Sequence, residues 1–133
     1  MSSVVDASLL VAAATLSGPE GAWAEDVVIA GGLVAPHLAL VEATNILRRL
    51  ELAGRLGRLE AGAAARELLR LELELVPFNP FAERVWELRA TVTSYDAWYV
   101  AVAEELDLPL ATLDRRLAVA GGPRCRFLLP PPS

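Results

Sequence analysis

Lysine is absent from this chain of 133 residues, so all twelve basic side chains are arginine. That bias, together with abundant alanine, leucine, glycine and valine, fits a GC-rich genome. Cysteine occurs once, at Cys125, which rules out an intrachain disulfide and excludes cysteine-rich zinc sites. Histidine also occurs once, at His37, so any Ser–His or Cys–His catalytic pair would have to use it. Cys125 reads as a small buried hydrophobe in the strand-like CRFLL, and His37, after Pro36, as a capping or packing residue at a helix start. No apolar run approaches the roughly 18–20 residues that span a bilayer. A basic leader is missing, and Asp6 stands where a signal peptide would be apolar. These absences predict a cytoplasmic protein with no membrane association.

What is present describes a folded chain. Hydrophobic residues make up 54% and charged residues 22%, enough apolar content for one domain with a substantial core. The net charge of −5 argues against a strongly cationic nucleic-acid binder. Arginine nevertheless suits bidentate contact with phosphate or carboxylate better than lysine does.

Along the chain, SVVDA reads as a buried strand followed by a helix over about Ser8–Leu16. Pro19 is placed to start the next helix, which runs to about Ala30 and stops at Gly31-Gly32. LVA predicts a brief second strand. A helix then runs from His37 to about Ala53, closed by Gly54, and another covers roughly Leu59–Leu71. A short strand is expected at Glu74–Phe78, awkward because of Pro77. Pro80 opens a helix to about Arg89, and Ser94 is expected to cap one over Tyr95–Leu106. In that helix Trp98, Tyr99, Val102, Ala103 and Leu106 form a stripe of core spacing. PLATL and CRFLL complete the strands, with a short helix opened by Asp114 between them.

Alternating strands and helices predict an α/β fold, a three-layer sandwich with a short, mostly parallel central sheet flanked by helices. Residues 1–129 are expected to form a single domain, with 130–133 as a proline-rich tail. Sites in such sheets form at the carboxyl ends of the strands. Asp6 and Asp114 fall there.

Two further acids sit in unusual places. Glu42 interrupts an apolar helix face that it shares with Leu38 and Ile46, and Asp96 lies in the first turn of its helix. Each acid has a plain structural role when taken alone. Asp6 and Asp114 can cap helices, Glu42 can pair with Arg49 or reach solvent, and Asp96 can simply start its helix. Glu60, Glu67, Glu104 and Glu105, on polar faces, are expected to be solvated. If the four unusual acids converge, their repulsion needs an answer. Two unit charges 4 Å apart repel by about 4 kcal/mol at an effective dielectric near 20. Such a pocket must take up protons or bind cations, and oxygen ligands without histidine or cysteine select Mg²⁺ or Mn²⁺.

The segments VVDASLL, PHLALVEATNILRRL and SYDAWYVAVAEELDLPLATLDRRLA resemble, in order and spacing, the PIN-domain ribonucleases of the VapC toxin family. The likeness runs from Val4 to about Leu128 and is most specific over Ser94–Ala118. It implies a PIN-like fold with an acidic site at Asp6, Glu42, Asp96 and Asp114, and support from Ser8, Asn45 and Thr112. It further implies a metal-dependent endoribonuclease that acts as the toxin of a toxin–antitoxin pair. One or two Mg²⁺ or Mn²⁺ ions would serve the hydrolysis, leaving a 5′-phosphate and a free 3′-hydroxyl. The expected partners are an RNA such as tRNA or rRNA, a small antitoxin laid across the site, and a second copy in a homodimer. Arg48, Arg49, Arg115 and Arg116 are the candidates for RNA-phosphate contacts. Two other readings stand beside this one. A receiver-like phosphate-accepting domain would also gather acids around Mg²⁺, but it usually needs a lysine near the site. A catalytically silent PIN-like binding module would only assemble with a partner.

Overall fold

The computed structural model describes residues 2–132; Met1 and the last residue of the expected tail, Ser133, lie outside the described residues. Strand β1 (Ser3–Val5) is an uninterrupted buried run rather than an alternating one, as befits a strand covered on both faces. Helices α1 (Ala7–Thr15) and α2 (Gly18–Ala30) follow, then β2 (Leu33–Pro36). Between α2 and β2 the chain turns through Gly31 and Gly32 at positive φ, and a Cβ on Gly32 would strike Ser2. Helices α3 (Ala39–Leu52) and α4 (Arg58–Arg70) lead to β3 (Leu73–Val76). A 3₁₀ turn at Asn79–Phe81 runs into α5 (Ala82–Glu87), followed by α6 (Ser94–Leu106), β4 (Leu110–Ala111), α7 (Arg115–Val119) and β5 (Phe127–Leu128).

The five strands lie in the order β3-β2-β1-β4-β5, with every pairing parallel. The sheet expected to be mostly parallel is therefore parallel throughout the described residues. Helix α1 packs on α2, α3 and α4, while α6 lies against β1, β2 and β4 and carries α5. Val4, Val5, Leu9, Leu10, Val100, Val102 and Leu110 are fully buried at the centre. Each such side chain contributes roughly 1.5–3 kcal/mol relative to remaining exposed.

Strand order decides where the site lies. The chain steps outward from β1 through β2 to β3, then returns to place β4 and β5 on the other side of β1. The order reverses between β1 and β4, and a crevice opens there at the strands' carboxyl ends. A receiver-like sheet runs 2-1-3-4-5. The observed order, with the absence of lysine, removes that reading.

Several local expectations shift. Helix α3 begins at Ala39, and His37 is exposed, with its backbone N–H donating to Val76 O. β3 ends at Val76, ahead of Pro77. Ser94 is the first residue of α6 rather than its cap; Thr93 caps the helix, accepting from the Asp96 N–H. Cys125 is half-buried and precedes β5 rather than lying in it. Leu106 ends the core stripe 43% exposed. Glu104, expected to be solvated, is half-buried and takes a bidentate contact from Arg84, at 2.7 and 3.1 Å.

Candidate active site

Asp6 follows β1 directly and caps α1. Its Oδ1 accepts from the Leu9 N–H at 3.0 Å and from Ser8 Oγ at 2.7 Å. Its Oδ2 accepts from the fully buried Thr112 hydroxyl, which follows β4 and reaches across the switch point. Thr112 Oγ1 also accepts from the Asp114 N–H at 3.0 Å. Asp114 in turn caps α7, with Oδ1 accepting from the N–H groups of Arg116 and Leu117. Capping fixes the direction in which each of these two carboxylates points.

Glu42 projects from α3 and Asp96 from the first turn of α6. A Glu42–Arg49 pair, one of the plain alternatives for this acid, does not form among the described residues. Glu42 Oε1 instead accepts a 2.8 Å hydrogen bond from the Tyr99 hydroxyl. Asp6, Glu42, Asp96 and Asp114 line one open cleft of about 260 Å³, together with Ser8, Asn45, Arg49 and Tyr99. A larger hollow of about 910 Å³ opens at the amino ends of β1–β3, beside Gly31, Gly32, Glu72 and Glu74. It gathers no half-buried acids, and size alone gives it no comparable chemistry.

The electrostatics of the small cleft are strained. Burial pushes the Asp6 carboxyl above the ordinary range, against the pull of its three donors, and Asp114 adds repulsion. Glu42 is raised by burial and by repulsion from Asp96 and Asp6, with the Tyr99 bond working the other way. Asp96 is raised by burial and by repulsion from Asp114 and Asp6. Among the described residues, Glu42 Oε2 and Asp114 Oδ2 accept no hydrogen bond, and the Asp96 carboxyl is eased only by the Thr93 hydroxyl. Free carboxylate oxygens under mutual repulsion are what a hard cation relieves. Yet no group of three His, Cys, Asp or Glu side chains among the described residues is assembled to hold an ion unaided. Mg²⁺ does not require such a group, since it commonly keeps several waters and takes only one or two carboxylates directly.

The other expected residues divide. Ser8 and Thr112 brace Asp6, while Asn45 lines the cleft without a hydrogen bond to the first acid or to a loop among the described residues. Arg49 lines the cleft and Arg48 is exposed outside its lining. Arg115 is diverted, because its guanidinium donates to Pro130 O at 2.6 Å and ties down the tail. Arg116 lines an adjoining cleft with Asp96 and Asp114. The residue that sequence reasoning missed is Tyr99, taken for core alone. Its place one helical turn after Asp96 was the available signal.

Residues 3–123 match the PIN domain family. Ribonuclease VapC9 of Mycobacterium tuberculosis is 38% identical over 128 residues, covering 96% of this chain and 98% of that protein. The crystal structure of PAE2754 from Pyrobaculum aerophilum superposes with a TM-score of 0.70 at 28% identity, over 96% of this chain and 83% of the other. VapBC-5 of Mycobacterium tuberculosis, a member of the VapBC family of toxin–antitoxin systems, shares the fold. Its TM-score is 0.61 at 22% identity, over 96% of this chain and 98% of that one.

Proposed function

From the premise that the chain belongs to the PIN domain family and to its VapC ribonucleases, we propose that it hydrolyses RNA at the acidic cleft. The protein is an endoribonuclease of the toxin–antitoxin kind. The observation that carries the assignment to this cleft is the meeting of Asp6, Glu42, Asp96 and Asp114, from four separate elements, at the switch point of the sheet.

The cleft's own residues divide the work. Asp6, held by three donors, is the fixed wall. Glu42 is oriented by Tyr99 and leaves one oxygen free. Asp114 offers its free Oδ2 from the start of α7, and Asp96 its carboxyl, touched by the Thr93 hydroxyl, from the first turn of α6. Together these side chains would hold Mg²⁺ or Mn²⁺, in part through water. When bound, the ion supplies Lewis-acid stabilisation of charge on the phosphate oxygens and a more acidic water. Arg49, which lines the cleft, is the candidate for contact with the RNA backbone.

A small antitoxin is the proposed protein partner, on the strength of the VapBC relative. A homodimer is proposed with it. No helix among the described residues is long and apolar enough to cross a membrane, and the proposed site of action is the cytoplasm.

The test is cleavage of tRNA and rRNA fragments by the purified chain with Mg²⁺, with Mn²⁺ and with EDTA. Cleavage that needs the ion and leaves 5′-phosphate ends supports the assignment. Cleavage of equal rate in EDTA would remove the ion from it, and no cleavage under any condition would favour the silent binding module.

A further inference from the structure

We infer that a second cleft, on the far side of Asp96 and Asp114 from Glu42, is a subsite for the ribose–phosphate of a nucleotide beside the scissile bond. This rests on the ribonuclease reading above. The two clefts share Asp96 and Asp114 as a common wall, so an RNA strand with its phosphate at those acids can continue from one into the other. The second cleft measures about 480 Å³, within the roughly 300–1,000 Å³ of small-ligand sites.

Its chemistry differs from that of the first. Thr91, Thr93 and Arg116 line it, and Leu117 and Val92, both buried, anchor its wall to the core. Arg116 shares the lining with Asp96 and Asp114, and its guanidinium makes no ion pair or hydrogen bond among the described residues. A free planar guanidinium suits bidentate contact with a phosphate. Thr93 Oγ1 accepts from the Asp96 N–H and its hydroxyl also interacts with the Asp96 carboxyl; exposed in the cleft lining, it can still accept from a ribose hydroxyl. Thr91 donates to Gly121 O at 2.6 Å, which pins the loop behind the cleft. No aromatic side chain stands among the lining residues, so recognition here falls to the sugar–phosphate rather than to an aromatic platform for a base. The subsite grips the sugar–phosphate and tolerates any base.

The experiment measures binding of a fluorescent single-stranded RNA by anisotropy, in Mg²⁺, across a salt series. Every variant is made in the Asp6→Asn background so that the RNA stays intact. Arg116→Ala should weaken binding by about threefold to tenfold and reduce the log–log salt slope by about 0.7, one phosphate contact on a single strand. Ala120→Trp, which fills the cleft, should weaken binding by about tenfold with the melting temperature checked alongside. Arg126→Ala removes the same charge at the amino end of β5 and should change binding by less than about twofold. Arg116→Ala binding within twofold of its parent, with an unchanged slope, overturns the subsite whatever Ala120→Trp does. If the wild-type chain still cuts RNA in that case, the ribonuclease reading survives alone. If it cuts none with Mg²⁺ or Mn²⁺, both fall together.

Discussion

Tyr99 and Glu42 stand 57 residues apart in the chain, yet the buried phenol donates a 2.8 Å hydrogen bond to Glu42 Oε1. The bond joins α6 to α3 and favours the ionised carboxylate, since it pulls down a value that burial pushes up. Tyr99→Phe keeps the ring in the core and removes only the donor. Activity should fall by about 10- to 100-fold, the usual scale for a partner that orients a metal-site ligand. The acid limb of the pH–rate profile should move to higher pH, because Glu42 then holds its proton longer. A profile of unchanged shape would assign Tyr99 to packing alone.

Asp6→Asn keeps a side-chain oxygen to cap α1 and removes the charge. Cleavage should be abolished while the melting temperature in EDTA stays level or rises, since the charge lost is one that burial disfavours. Wild-type cleavage by this variant would remove Asp6 from the site.

Thr112→Val leaves Asp6 Oδ2, which is buried, and the Asp114 N–H, which is part-buried, without their shared partner. Each unpaired group costs roughly 1–3 kcal/mol. Denaturant unfolding should show a loss of that order, and Thr112→Ser should restore most of both stability and activity.

Asp6, Glu42 and Asp96 all titrate above their ordinary values in the folded chain. The ion-free fold therefore binds these protons more readily than the unfolded chain does. Their contribution to stability is greatest below the ordinary carboxylate range and fades as the pH rises through the folded values. Glu104 is lowered, chiefly by Arg84 acting against its own burial, and pulls the other way as a single group against three. In EDTA the melting temperature should rise as the pH falls from 7 toward 5, and added Mn²⁺ should raise it most at pH 7. A melting temperature that falls steadily over that interval in EDTA would contradict the strained-cleft account.

The parts of the site legible in the sequence were those written locally. Asp6 and Asp114 follow short apolar runs and open helices, so strand end, cap and acid are read together. Glu42 and Asp96 gained their meaning from spacing shared with a known family, since each alone has an ordinary role. Contacts between distant segments stayed hidden. Tyr99 looks like core because its ring is core; only the packing of α6 against α3 gives its hydroxyl a partner. Arg84 and Glu104 are 20 residues apart on different helices, and nothing local marks the pair. Arg115 sits beside Asp114, but the path of the chain near Pro130 claims its guanidinium. Periodicity identifies strands, but it carries no information about which one lies next to β1.

The bond from Thr112 to Asp6 joins residues 106 positions apart, across neighbouring strands. On a ribosome, which releases the chain from its amino end, Asp6 emerges early and waits. Its brace, and Asp114 behind it, arrive only when nearly the whole domain has left the exit tunnel. The cleft proposed to act on RNA is thus completed only after the chain between these two strands has been made and folded.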